Sequence, residues 1–570
     1  MKFLIQSMFP AIFSIKKLKY LIIALITSLA LILPGCGSSS NQSSAPTESA
    51  AANSQCPDNG GSMVMTWKDD VSTLDPAIGY DWQNWSMIRS LFGRLVSYKP
   101  GTTELEPDMA EKYEVSPDGK VYTFILRPDI KFHNGRTVTA EDVKFSLERT
   151  IDPKTKSPGQ SFYSKIAGFE EFVGGKATTV SGIKVVDPQT VEITLQNPDA
   201  AFLHLMALNF AAVVPREEVE KYGDDFGKNP VGTGAYRLTK WDLGQQLVFD
   251  RNPDYYIACT PKLDQITFEV GQEPTVALLR LERGEVDAVG DGLPPSRFVD
   301  FTSNPQYKDL VVRGTQMQTG YVAINTKMKP FDNVKVRQAL NMTINKERIV
   351  QIINGRAEVA NQVLPPIMPG YDPNFKGYEY NPQAAKQMLA EAGFPNGFNT
   401  QLFANNTDPN PRIAQAIQQD LAAIGITVEL KNQAQSTVIA AGGEEQGAPL
   451  IWSGGMAWIA DFPDPSNFYW PILSCTAIAP GTWNWSWYCN ESLDQMAKQA
   501  DAMVGDDKAE ARTEMYRQLF NKVMEDAPWV PIFNEQRVNV HSARLEGDKS
   551  LWLDPVRTPI NYDYIHAKGT

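Results

Sequence analysis

Apolar and polar positions alternate along Val121-Tyr-Thr-Phe-Ile-Leu126, which predicts a strand with one buried face. Ser62–Trp67, Gln265–Val270 and Tyr321–Asn325 also read as strands. Val185 to Leu195 carries two strand runs broken by an Asp187-Pro188 turn. Helical spacing takes over elsewhere. Ile413, Ile417, Leu421 and Ile424 form one apolar stripe, stopped by Gly425 and followed by a strand over Ile426–Leu430. Thr139-Ala-Glu-Asp142 is a helix-start signature, with Val143 and Leu147 on the inward face. Asn381-Pro382 opens a helix that Gly393 closes, turning Met388, Leu389 and Ala392 inward. Helix followed by strand, repeatedly, predicts α/β lobes with partly parallel sheets. No repeat of 20–50 residues is visible.

The first fifty residues follow a different pattern. Residues 1–47 contain no Asp or Glu, and Lys2, Lys16, Lys17 and Lys19 precede an apolar run from Tyr20 to Leu33. That run is too short to cross a hydrocarbon core of about 30 Å comfortably, and a basic flank before a short apolar run reads as an export signal. Leu33-Pro34-Gly35-Cys36 resembles a bacterial lipobox, although Pro34 is less usual there than Ala or Ser. This resemblance implies cleavage after residue 35 and thioether lipidation of Cys36, giving a stable multi-chain anchor. Residues 37–59 are mostly Ser, Ala, Gln, Asn and Pro, with few charges, and predict a flexible tether.

Composition narrows the classes. The 570 residues exceed one hydrophobic core, which stops growing near ~250–300 residues. A net charge of −13 argues against nucleic acid as a partner. The four histidines, His133, His204, His541 and His566, have no metal-site spacing. Gly232 and Gly234 fit turns and not a phosphate loop, because Arg237 stands where a third glycine is needed. Asp250-Arg-Asn-Pro-Asp254 imitates the start of a calcium loop, but Tyr255 replaces its glycine. No nucleophile elbow, phosphate loop or zinc-protease motif is present, so no enzyme activity, cofactor or metal is expected. His133 reads as a satisfied loop histidine. With Cys36 carrying lipid, four cysteines remain, and export permits disulfides. Cys475 and Cys489 are expected to close a short loop. Cys56 and Cys259 each precede a strand run, and they meet if those strands are parallel neighbours; otherwise they are free buried thiols.

Ordered motifs then resemble a known family. They are Thr73-Leu-Asp-Pro-Ala77, Leu105-Glu-Pro-Asp-Met-Ala110, Ser116 through Val143, Pro230-Val-Gly-Thr-Gly-Ala-Tyr236, Arg251-Asn-Pro-Asp-Tyr-Tyr256, Gly284-Glu-Val-Asp287, Phe331 through Leu340, and Trp458-Ile-Ala-Asp-Phe-Pro-Asp-Pro-Ser-Asn-Phe468. Together they resemble extracytoplasmic solute-binding lipoproteins of the peptide/nickel class, family 5, which serve ABC transporters. The resemblance spans about residues 61–540. It implies a two-lobed periplasmic-binding-protein fold (type II, cluster C-like) with an extra subdomain and a hinge between the lobes. Lobe one is expected at 60–90, 229–315 and 526–570, the extra subdomain at 91–228, and lobe two at 316–525. Partners implied are a peptide ligand, a permease with its ATPase, and a membrane through the lipid; a monomer is expected.

The resemblance also implies a site. Asp461 closes an apolar, glycine-bearing run that offers it no basic partner. In peptide-binding relatives the matching aspartate meets the peptide α-ammonium. The empty cleft is expected to leave this carboxylate to water. Trp458 is expected to line the cleft, Trp452 to do so or to join the core, and the bare backbone of Gly454 and Gly455 to pair with an extended ligand. Ile78, Gly79 and Tyr80 correspond to a second main-chain contact region, and Asn325 is a further candidate. Asp464 reads as structural. Trp483, Trp485, Trp487 and Tyr488 serve either as ligand cover or as packing. Residues 453–460 lack the arginine that some oligopeptide-binding relatives carry for the peptide carboxylate. A nickel chelate, opine or oligosaccharide cargo, or a surface sensor or adhesin, are the alternatives.

Overall fold

The computed structural model describes Cys56 and residues 60–454, 458–556 and 560–568. The signal segment, the lipidation candidate Cys36 and most of the tether lie outside these residues, as does Gly455. No helix among the described residues is long and apolar enough to cross a membrane.

Five strands form the first lobe's sheet, in the order Ala288–Val289, Ser62–Thr66, Gln265–Glu269, Gln246–Arg251, Tyr236–Asp242. Ser62–Thr66 runs parallel to both neighbours. Met63 and Met65 point into a core shared with Leu247, Phe249, Ile266 and Phe268. Because Ser62 lies opposite Gln265, Cys56 and Cys259 arrive at one sheet edge and are disulfide-bonded, with Cα atoms 5.3 Å apart. The helix Trp82–Leu91 buries Met87, Ile88 and Leu91 against this core.

The second lobe's sheet has eight strands. Its main path is Val311–Thr315, Trp529–Val540, Gln318–Ile324, Leu450–Trp452, Asn399–Asn405, Thr427–Gln433. Ala357–Val359 and Trp458–Ile459 attach at its side. The sequence patterns emerge here as read: the stripe on Ile413, Ile417 and Leu421 lies on helix Asn410–Ala422 and is buried against the sheet. Pro382–Glu391 begins at the Asn381 cap, whose side chain accepts the Ala384 N–H at 3.0 Å.

Trp529–Val540 links the lobes. Val530 pairs with Val322 of the second sheet, Val540 pairs with Val311, and the next residue, His541, bridges to Ala288 of the first sheet. This one strand therefore joins the two sheets.

A four-stranded antiparallel sheet, Ala110–Val115, Val121–Leu126, Thr190–Thr194 and Ile183–Asp187, builds the extra subdomain. The alternation of Val121–Leu126 is visible in its burial, with Tyr122, Phe124 and Leu126 inside. Helix Ala140–Ile151 covers it. The Asp142 carboxylate accepts the Thr139 N–H at 2.9 Å and its hydroxyl at 3.0 Å, a start worth about 1 kcal/mol. This subdomain shares one core with Phe468, Tyr469 and Leu519, and so braces the wall that carries Asp461.

Candidate functional site

Asp461 is placed by strand pairing and by a turn. Trp458–Ile459 pairs antiparallel with Gln318–Thr319, and the Ala460 N–H donates to Met317 O at 2.8 Å. The chain then turns at Phe462-Pro-Asp464. The Asp464 carboxylate is buried, accepts the Ser466 N–H at 2.9 Å, and binds the Arg512 guanidinium through two bonds of 2.7 and 2.9 Å. Burial alone would raise its pKa, but Arg512 holds it far below the usual carboxylate range. Asp464 thus anchors the turn.

Asp461 itself is half-buried. Its backbone N–H donates to Asn467 Oδ1 at 2.9 Å, and Asn467 Nδ2 donates to its Oδ2 at 3.3 Å. Its Oδ1 accepts the Tyr80 hydroxyl from the first lobe. Tyr80 and Asn467 are therefore the protein partners of this carboxylate. No Lys or Arg among the described residues forms an ion pair with it. Burial raises its pKa, and the bonds from Tyr80 and Asn467 offset this only in part. Burial and the nearby carboxylate raise the Tyr80 pKa far above neutrality, so the phenol stays a donor.

Tyr80 and Asp461 border two cavities at once. One, of ≈ 290 Å³, is lined by the Gly314–Met317 segment, Ala460, Trp85 and Arg537. The other, of ≈ 580 Å³, is walled by Phe162, Phe462, Trp458, Trp470 and Trp483. A third cavity of ≈ 290 Å³ shares Gln316, Ile459 and Arg537 with the first and continues to Arg356 and Glu535. Tyr80 and Trp85 come from the first lobe, and Met317 and Asp461 from the second, so these spaces form an interlobe cleft. Arg537 Nη2 donates to Gly290 O at 2.8 Å. Burial lowers its pKa to about 9, against the pull of Asp291 and Glu535.

The other expected residues divide. Trp458 is half-buried and lines the larger cavity. Ile78 and Gly79 form a turn in which both N–H groups donate to Asp75 O, at 3.1 and 2.7 Å, so neither is an available donor for a ligand. A Cβ at Gly79 would meet Ile88 Cδ1 at 2.5 Å, which explains the glycine by packing. Of the two places left open for Trp452, cleft or core, it takes the core. It is 0% exposed, its Nε1 donates to Asn410 Oδ1 at 2.9 Å, and its ring packs on Phe533. Asn325 is corrected from cleft to core. It is 1% exposed, and its amide donates to Glu445 O at 2.8 Å and Ala448 O at 3.3 Å while accepting the Lys327 N–H. Gly454 turns toward the Trp452 ring, and Gly455 lies outside the described residues.

Cys475 and Cys489 are disulfide-bonded. The tryptophans of their loop separate by role. Trp485 and Trp487 are buried, with Trp487 Nε1 donating to Gly442 O at 3.1 Å, whereas Trp483 is 44% exposed at the larger cavity. His133 accepts the Gly232 N–H at Nδ1 and faces Gly234 O with Nε2, both at 3.2 Å. Its burial lowers its pKa to about 4, which keeps it neutral. Sequence reasoning missed Asn467, Met317, Lys165 and Arg537. Only Asn467 carried a local signal, an amide six residues after Asp461 within the same quoted motif.

Residues 104–480 match the model of the bacterial extracellular solute-binding proteins, family 5 (Middle). The chain is 30% identical over 568 residues to heme-binding protein A of Haemophilus influenzae, covering 95% of this chain and 97% of that protein. It is 30% identical over 500 residues to the glutathione-binding protein GsiB of Escherichia coli K12, covering 86% and 92%. The periplasmic binding protein DppA of Helicobacter pylori, solved with the peptide STSA, superposes with a TM-score of 0.72 at 28% identity, over 90% of this chain and 99% of that one. With its two lobes, its interlobe cleft and these matches, the chain belongs to the family 5 extracellular solute-binding proteins of ABC transporters and is not an enzyme.

Proposed function

We propose that this protein is a lipid-anchored receptor that captures di- or oligopeptides between its lobes and delivers them to an ABC importer. The observation that carries this reading is Asp461. It is a half-buried carboxylate between two cavities, held by a phenol and an amide and, among the described residues, by no cation. A ligand ammonium would supply the missing charge, and burial makes that pairing strong. Tyr80 on one lobe already donates to Asp461 on the other, so a ligand ammonium at this carboxylate would add to a contact that favours the closed arrangement of a hinged binding protein. The peptide-bound DppA relative supports the cargo class.

Native mass spectrometry of residues 37–570, purified without refolding, tests the cargo by what is released on denaturation. A thermal-shift panel of di- to hexapeptides, N-acetylated and amidated forms and Ni²⁺ chelates follows. A ligand at 100 times its Kd adds about 2.7 kcal/mol of stability. Stabilisation by peptides, abolished by N-acetylation, is expected. Stabilisation by a chelate alone would remove the peptide assignment. Labelling of cells with an alkyne fatty acid should tag the wild-type protein and not Cys36→Ser; an unlabelled wild type would remove the anchor.

A further inference from the structure

We infer that the larger cavity receives the side chain nearest the ligand's ammonium, and that it selects a large aromatic group there. This rests on the reading of Asp461 as the ammonium partner. A group bound at Asp461 sits at the junction of the two cavities, because Asp461 and Tyr80 border both. The smaller space runs along the main chain of Gly314–Met317 and suits the continuing backbone. The larger one, ≈ 580 Å³, suits a bulky side chain.

Its walls favour aromatic over charged or small groups. Trp483 stands edge-on to Trp458, with ring centroids 6.4 Å apart, and Phe162 stands edge-on to Phe462 at 6.3 Å. The polar groups of the far wall are already mated. Lys165 Nζ lies 2.9 Å from Asp199 and 3.6 Å from Asp501, and Trp470 Nε1 donates to Asp501 at 2.7 Å. Each of these carboxylates has a cation beside it, Asp501 also meeting Arg512 at 3.5 Å, whereas the aromatic faces offer offset and edge contacts to another ring. Trp483 is held in position despite its exposure. The disulfide closes its loop, and the buried Trp485 and Trp487 both hold it against Gly442, Trp485 by packing and Trp487 by its Nε1–H bond to Gly442 O. A large exposed apolar side chain on such a pinned loop is a ready contact surface and loses little freedom on binding.

The test is a series of tripeptides differing only in the first residue (Trp, Phe, Leu, Ala, Gly), titrated calorimetrically into the wild-type protein. Peptides beginning with Trp or Phe are expected to bind about tenfold or more tighter than the glycine peptide. Moving Trp to the second position should forfeit that gain. Trp483→Ala and Phe162→Ala, checked for native unfolding midpoints, should each shrink the Trp-to-Gly affinity ratio. Equal affinity across the series, or a gain that follows the second position, overturns the inference and leaves the Asp461 reading intact. If no peptide with a free ammonium binds, the Asp461 reading falls and takes this inference with it.

Discussion

Replacing Asp461 by asparagine separates the cost of this residue to the empty protein from its benefit to the complex. In the folded protein, burial raises its pKa, so the carboxylate form is worse off than in the unfolded chain. A raised acid pKa means the penalty is absent below the unfolded pKa and fully present above the folded one. The stability of Asp461→Asn minus that of wild type must therefore grow more positive as pH rises through that window. The bonds from Tyr80 and Asn467 favour the carboxylate and are already counted in that net upward shift, so they reduce the size of the change without reversing its sign. Binding should respond in the opposite direction. Truncating one partner of a desolvated charge pair costs about 2–5 kcal/mol, or roughly 30- to 4,000-fold in Kd. Urea unfolding from pH 3 to 8 and calorimetric titration of a binding peptide at pH 7 measure both arms. A peptide Kd within threefold of wild type, or a stability difference that ignores pH, would refute the reasoning.

Three further outcomes follow from the surrounding geometry. Arg512→Ala strands the Asp464 carboxylate, only 2% exposed, and should destabilise the protein by about 3–5 kcal/mol in urea unfolding. Because Arg512 holds the Asp464 pKa low, that stabilisation is present above the ordinary carboxylate pKa and fades as pH falls, so the deficit of Arg512→Ala should shrink in acid. Trp452→Phe removes the donor to Asn410 and should cost about 1–3 kcal/mol of stability while changing peptide affinity less than twofold. Replacing Cys475 and Cys489 together by serine should lower stability by about 3 kcal/mol, read from denaturant midpoints, the loop-closure entropy expected when the two cysteines are 14 positions apart.

The elements legible in the sequence were those set by local physics. The alternation of Val121–Leu126, the Thr139–Asp142 start and the Asn381 cap each depend on residues a few positions apart. The cysteine pairing 56–259 was legible once Ser62–Trp67 and Gln265–Val270 were read as strands, because equal spacing before a parallel pair brings the sulfurs together. Asp461 stood out because its own run supplies no counter-charge. Its partner did not, since Tyr80 is 381 residues away. Trp452 stayed open between cleft and core because a central strand is buried on both faces, and Leu450-Ile-Trp452 shows no alternation to say which way the ring points. Asn325 misled for a related reason. A polar residue at a strand end looks ligand-facing until the carbonyls of Glu445 and Ala448, which fold back over it, are seen. The turn at Ile78-Gly79 resembled a ligand contact because sequence does not reveal that Asp75 O takes both N–H groups.

The most direct test of the central claim is a crystal structure of the protein with the ligand that co-purifies with it. The account predicts an ammonium nitrogen of that ligand about 2.7–3.2 Å from an Asp461 carboxylate oxygen, with the lobes closed around it. A ligand elsewhere in the cleft, with Asp461 still held only by Tyr80 and Asn467, would contradict it.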